Sequence, residues 1–176
     1  TRLKNEPAVR AIAEAHEGVF YAAGTHPMSA AEEPMATVDQ LVALARHPKF
    51  VGIGETGLDY HYTADTAAIQ QTSLRIHIQA AQETGLPLII HARKATERVI
   101  QLLRQHGSAT TGVVHSYSGS LEQARQLADM GFLLGIEHQG FVDAWAPLFF
   151  FALLFGLSIS CPQVFNFHRN PYSMVT

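Results

Sequence analysis

Between residues 5 and 137, short apolar runs alternate strictly with amphipathic stretches of helical period. Few folds accept that pattern. Residues 5–17 read as a helix. Asn5 can cap it, Pro7 suits its first turn, Val9, Ile12, Ala13 and His16 recur at helical spacing, and Gly18 stops it. Residues 19–23 form the first apolar run. Thr37 and Gln40 then stand at capping-box spacing ahead of a stripe of Val38, Leu41, Val42 and Ala45, which Pro48 ends. The run 50–54 follows. Thr63 or Asp65 can cap a helix reaching about Thr84, with Gly85 as its stop. After the run 87–90 comes a helix over 96–105, with Val99, Leu102 and Leu103 on one face. The run 112–114 precedes a second capping box, Ser120 with Gln123, and the stripe Leu121, Ala124, Leu127 and Ala128. Gly131 ends that helix, and 132–136 is the fifth run.

The apolar runs are short and do not alternate with polar residues, as strands buried on both faces require. Their centres lie roughly 20–36 residues apart, room for one crossover helix each. The pattern predicts an α/β fold with five strands in a parallel sheet. An open doubly wound sheet and a barrel both satisfy it.

The residues that follow the strands carry the chemistry. His26 follows the first, Glu55 the second, His91 the third and His115 the fourth. In a parallel sheet these ends share one edge, and in a barrel they converge on one mouth. Imidazole and carboxylate together suit Zn²⁺, Mn²⁺ or Fe. Glu55, His91 and His115 each end a strand run, so a shared metal site requires their ligating atoms to converge within roughly 4–8 Å. Competing chemistries have little support. Cys161 is the only cysteine, which excludes a disulfide framework and a Cys-rich zinc module. No P-loop is present, and 52–57 lacks one residue of a dinucleotide fingerprint and opens no helix. Ser116 and Ser118 lie near His115 without a nucleophile elbow.

Charge sets a further limit. Twelve Lys and Arg against fifteen Asp and Glu give a net charge of −3, so nucleic acid would be held locally rather than by bulk positive charge. The polar start, Thr1 to Pro7, has no signal-peptide pattern, which gives a cytoplasmic expectation, and the absence of an initiator Met points to a trimmed or incomplete N-terminus. Residues 138–176 differ in kind: they hold two charged residues, Asp143 and Arg169, among many aromatics. Three readings compete for that segment: non-family sequence from a shifted reading frame, a membrane- or partner-binding tail, and a divergent folded end. The apolar stretch 144–160 approaches a bilayer span but is interrupted at Pro147 and preceded by Asp143.

Five segments together resemble the TatD family of metal-dependent deoxyribonucleases. The stretch 54–60, Gly-Glu-Thr-Gly-Leu-Asp-Tyr, resembles the family's "GE-x-GLD" strand end. The stretch 87–97, from Pro87 through His91, Arg93 and Ala95 to Glu97, resembles "P-x-x-x-H-x-R-x-A-x-E". Residues 113–119 are similar to "hxHxFxG", with Tyr117 in place of Phe, 24–27 to "G-x-HP", and 131–136 to "GF-x-h-G-I". The resemblance covers about residues 5–137. It implies a distorted TIM barrel and a hydrolase dependent on Mg²⁺, Mn²⁺ or Zn²⁺, with two ions in the complete site. That enzyme would cleave DNA phosphodiesters by metal-bound hydroxide. Glu55 would be the catalytic, bridging carboxylate, with His91 and His115 as further ligands. His26, Arg93 and Lys94 would contact substrate, while Asp59 and Tyr60 would shape the loop above Glu55 and support it rather than take part in the chemistry.

Two family elements have no counterpart here: the His-x-His of the first strand and the Asp of the "ETDAP" strand. The expectation is therefore a partial barrel over 5–137, about five of eight strands, followed by a tail over 138–176. Such a chain would be weak or inactive as a nuclease. The alternatives are an amidohydrolase-like enzyme acting on C–N or ester bonds, and a catalytically dead fragment whose tail contacts membrane or protein.

Overall fold

The computed structural model describes residues 2–136 and the two-residue strand Met174–Val175. The elements are α1 (Glu6–Ala15), β1 (Phe20–Ala23), α2 (Val38–Leu44), β2 (Phe50–Asp59), α3 (Ala67–Thr84), β3 (Leu88–Arg93), α4 (Thr96–His106), β4 (Gly112–His115), α5 (Leu121–Asp129), β5 (Phe132–Leu134) and β6 (Met174–Val175). The sheet runs β5-β4-β3-β2-β1-β6 and every pairing is parallel. Strands β1 to β5 thus stand side by side in chain order, each reached by a crossover through a helix. The tail 138–176 expected from composition, including its apolar stretch 144–160, lies outside the described residues except for β6. No helix among the described residues is long and apolar enough to cross a membrane.

Local signals place the helices. Both capping boxes form: Thr37 Oγ1 accepts the Gln40 amide at 3.2 Å, and Ser120 Oγ accepts the Gln123 amide at 3.2 Å. Each satisfies donors that a helix start would otherwise leave open. Gly85 ends α3 in the left-handed region, φ 69°, where a side chain is unfavourable. At the head of α3 neither Thr63 nor Thr66 caps through its side chain. A 3-10 turn, Ala64–Thr66, intervenes, and the Thr63 hydroxyl donates instead to the Asp59 carbonyl at 3.2 Å. The core lies between the sheet and its helices. Ile53, Leu58, Leu88, Ile90 and Val114 from the strands meet Leu74 and Ile78 of α3, Val99 and Leu102 of α4, and Leu127 of α5, all fully buried. Each such side chain is worth about 1.5–3 kcal/mol of transfer free energy.

Three strands run further than their apolar cores suggest. β2 continues to Asp59, β3 to Arg93 and β4 to His115, so Glu55, His91 and His115 lie within strands rather than after them. The cause in β2 is glycine. A Cβ at Gly57, φ 136°, would run into the His91 carbonyl oxygen, and one at Gly54 into that of Ile89. Only glycine lets β2 pass this close to β3. Between them the register slips: Gly54 pairs with Ile89 and Thr56 with Ile90, leaving Glu55 as an extra residue. A bulge of this kind re-aims its side chain.

Candidate metal centre

β1 ends at Ala23, and the chain turns at Gly24 to bring His26 against β2. The turn is tight: a Cβ on Gly24 would come within 2.6 Å of Gly54 Cα. Glu55 projects from the bulge. His26 Nε2 lies 3.7 Å from Glu55 Oε1, and His91 Nδ1 lies 3.4 Å from the same oxygen. The His26 and His91 rings pack edge to face at 4.6 Å. One ligand atom from each of His26, Glu55 and His91 falls within 4.8 Å of the others, and all three side chains are half-buried. Their donor set, two imidazoles and a carboxylate, fits a borderline divalent ion.

His91 is oriented from behind. Its Nε2 donates to Asp59 Oδ2 at 2.9 Å, and Asp59 is fully buried. With Nε2 committed to Asp59, Nδ1 is the nitrogen that faces Glu55 and would bind an ion in place of its proton, the carboxylate–histidine arrangement found behind metal ligands. Asp59 Oδ1 accepts the His61 and Tyr62 amides at 2.9 and 2.8 Å. Gln70, buried on α3, accepts the Asp59 amide at 2.8 Å and donates to the Thr63 carbonyl at 2.6 Å.

The electrostatics agree with this geometry. Burial alone would raise the Glu55 carboxyl, but the His91 hydrogen bond and the fields of His26, His115 and His91 hold it below the ordinary carboxylate range. Burial would lower His91, yet its bonds to Glu55 and Asp59 raise it above the ordinary histidine value. Asp59 is likewise lowered despite burial, chiefly by the Tyr62 amide and His91. His26 goes the other way: burial pushes it down to about 4, against the pull of Glu55. Its Nδ1 accepts the Met28 amide at 3.2 Å, so the neutral ring carries its proton on Nε2, the atom aimed at Glu55.

His115 is the in-register neighbour of His91 across β3 and β4, so both side chains leave the same face of the sheet. It is exposed, approaches Ser116 Oγ at 3.0 Å, and stands outside the tight group of three. Arg93 follows His91 by two residues on β3 and places its guanidinium 4.7 Å over the Tyr62 ring. Lys94 is exposed and, at φ 51°, left-handed, as is Ser116 at φ 48°. The two strands bearing His91 and His115 therefore both exit through a sparsely populated conformation, a feature that concentrates at functional sites. Tyr60 accepts a bond from Gln71 of α3 at 2.9 Å and packs against the core. Tyr117, standing where the resemblance expects Phe, donates to the Ser120 carbonyl at 2.5 Å.

Sequence reasoning missed His77 and Gln70. His77 is fully buried, donates from Nδ1 to the Ser73 carbonyl at 2.8 Å, and accepts the Thr25 amide on Nε2 at 3.1 Å, one residue before His26. A groove of about 590 Å³ lined by Arg75, Gln79, Glu83 and His106, among others, contains none of these site residues.

Residues 1–144 match the family described as TatD related DNase. The uncharacterized metal-dependent hydrolase YabD of Bacillus subtilis is 41% identical over 125 residues, 69% of this chain and 48% of that protein. A 3'-5' ssDNA/RNA exonuclease TatD from Klebsiella pneumoniae is 29% identical over 137 residues, 77% of this chain and 52% of its own. The crystal structure of the TatD homolog YjjV from Escherichia coli superposes with a TM-score of 0.70 and 31% identity, covering 76% of this chain and 52% of that one. The chain spans about half the length of the curated relatives it matches. With a parallel α/β sheet that superposes on part of a TatD structure and a His/Glu/His cluster at its carboxyl edge, the chain belongs to the TatD family of metal-dependent hydrolases.

Proposed function

We propose that this chain carries part of a divalent-metal site that hydrolyses DNA phosphodiester bonds. The observation that carries the reading is the Glu55–His91–Asp59 line: a carboxylate, an imidazole with Nδ1 turned toward it, and a buried carboxylate holding Nε2. Glu55, His91 and His115 would hold Mg²⁺, Mn²⁺ or Zn²⁺, with Glu55 placed to bridge to a second ion. Such an ion supplies an activated water and offsets charge on the phosphate.

The chain's own residues do the rest. His26 has Nδ1 engaged by the Met28 amide, so in this tautomer Nε2 presents an N–H, and of the His26–Glu55–His91 group it is the member that would meet substrate while the other two would hold the ion. It is suited to donate to a phosphate oxygen. Arg93 and Lys94 bring positive charge to the same sheet edge, on exposed side chains that can track a phosphate backbone. Asp59 keeps His91 in one orientation and so limits the reorganisation needed on metal binding. The His-x-His and the Asp of the "ETDAP" strand have no counterpart in this sequence, so turnover is expected to be slow.

The test is hydrolysis of a single-stranded and a duplex oligonucleotide with Mn²⁺, alongside amide and carboxylic ester substrates. Slow phosphodiester cleavage that disappears in Glu55→Ala supports the reading. Cleavage unaffected by that substitution, or turnover confined to the amide substrates, contradicts it.

A further inference from the structure

His77 is fully buried and has no part in the chemistry proposed above. Both of its ring nitrogens are committed. Nδ1 meets the Ser73 carbonyl at 2.8 Å, which can only accept, and Nε2 meets the Thr25 amide at 3.1 Å, which can only donate. The two partners dictate one neutral tautomer, with the proton on Nδ1.

Thr25 is itself buried and directly precedes His26. Its amide needs an acceptor inside the protein, and a side chain 52 residues away supplies it. Gly24, one residue earlier, lies so close to β2 that a Cβ would come within 2.6 Å of Gly54 Cα. The turn that presents His26 is thus held at two consecutive residues, by β2 at Gly24 and by α3 at Thr25. Beyond it, the Met28 amide donates to His26 Nδ1, which leaves Nε2 facing Glu55 at 3.7 Å.

The same helix holds the other side of the centre. Gln70 lies seven residues before His77, two turns along one buried face of α3. Its Oε1 accepts the Asp59 amide at 2.8 Å, and the Asp59 carboxylate holds His91. One helix therefore reaches His26 through Thr25 and His91 through Asp59, and the two rings meet edge to face at 4.6 Å. We propose that His77 is a positioning residue: by accepting the Thr25 amide it fixes where His26 stands beside Glu55 and His91, and so aims the His26 N–H at the substrate. What His26 does there rests on the phosphodiesterase reading above, while its placement can be measured without turnover.

The experiment compares His77→Leu, which is apolar and cannot accept a hydrogen bond, with His77→Gln, which can. In the metal-free chain, proton NMR reads the nuclear Overhauser contact between the His26 and His91 rings, assigned with His26→Ala. His77→Leu should lose most of that contact and His77→Gln should keep it. With Mn²⁺ and a short oligonucleotide, His77→Leu should lower kcat about tenfold, with KM and Mn²⁺ affinity within about twofold of the parent, and His77→Gln should restore most of kcat. In a His26→Ala background the same change should cost less than about twofold, because His77 acts through His26. His77→Met, whose thioether accepts only weakly and adapts to its surroundings, takes the place of His77→Leu if the leucine variant does not fold, with the same expectations. A ring contact retained without the acceptor, or an undiminished kcat loss in the His26→Ala background, would overturn the positioning role. If the parent cleaves no phosphodiester while the ring contact responds as expected, the phosphodiesterase reading fails and the positioning of His26 by His77 stands.

Discussion

Asp59 Oδ2 lies 2.9 Å from His91 Nε2, while Oδ1 of the same carboxylate accepts two loop amides. One buried group thus sets both the tautomer of a metal-ligand candidate and the shape of the loop above it. Asp59→Asn keeps the size and an oxygen for the loop. Its amide can donate where the carboxylate accepted, which holds the His91 proton on Nδ1, the nitrogen that would bind the ion. Calorimetric titration with Zn²⁺ should show affinity falling about 10–100-fold with little change in Tm. Unchanged affinity would mean that Asp59 serves the loop alone.

Arg93→Ala should act on substrate and leave the metal alone. The guanidinium has no ligand role in this geometry, and its ring partner Tyr62 is at the surface. The expected result is a KM raised roughly tenfold with kcat little altered, in steady-state cleavage of a short single strand. A kcat loss with KM constant would place Arg93 in the chemical step.

Gly57→Ala should be among the most damaging single-methyl changes. Its Cβ would collide with the His91 carbonyl, and φ 136° is unfavourable for any side chain. Urea unfolding should show a loss of about 1–3 kcal/mol, and metal affinity should fall as β3 shifts at His91. A variant with parental stability would contradict the close β2–β3 approach.

His77 supplies a pH signature of its own. Its ring is fully buried, and burial lowers it to about 4, so the folded protein keeps it neutral where an unfolded chain protonates it near 6.5. The unfolded state then binds the extra proton between pH 6.5 and 4. Stability from this group is present above 6.5 and falls with falling pH, by roughly 1.4 kcal/mol per unit across that window. His77→Gln can still accept the Thr25 amide and should flatten the stability–pH curve there. An unaltered slope in the variant would assign the acid sensitivity elsewhere.

The alternation of strands and helices was legible because hydrophobic period and capping are local. Thr37 with Gln40, and Ser120 with Gln123, read correctly from four consecutive residues each. Glu55 and His91 were legible because each follows an apolar run and sits in a motif of fixed spacing. The extent of β2 was not. The apolar run ends at Gly54, and only the neighbouring strand shows that glycine at 54 and 57 lets two backbones meet. His77 was invisible for a related reason. It lies on the buried face of α3 between Leu74 and Ile78, and its partner Thr25 is 52 residues away. His26 was expected at the shared strand-end edge, and the structure adds its 3.7 Å approach to Glu55.

Direct titration of the purified 176-residue chain with Mn²⁺, followed by electron paramagnetic resonance, probes the metal centre without relying on turnover. The parent should bind Mn²⁺, and Glu55→Ala and His91→Ala should each weaken binding by roughly two orders of magnitude or more. The affinity should also decline as the pH falls through the raised value of His91, because the ion and the proton compete for Nδ1. A parent chain that binds no Mn²⁺ at neutral pH, or two variants that bind it as the parent does, would contradict the assignment of Glu55 and His91 as metal ligands.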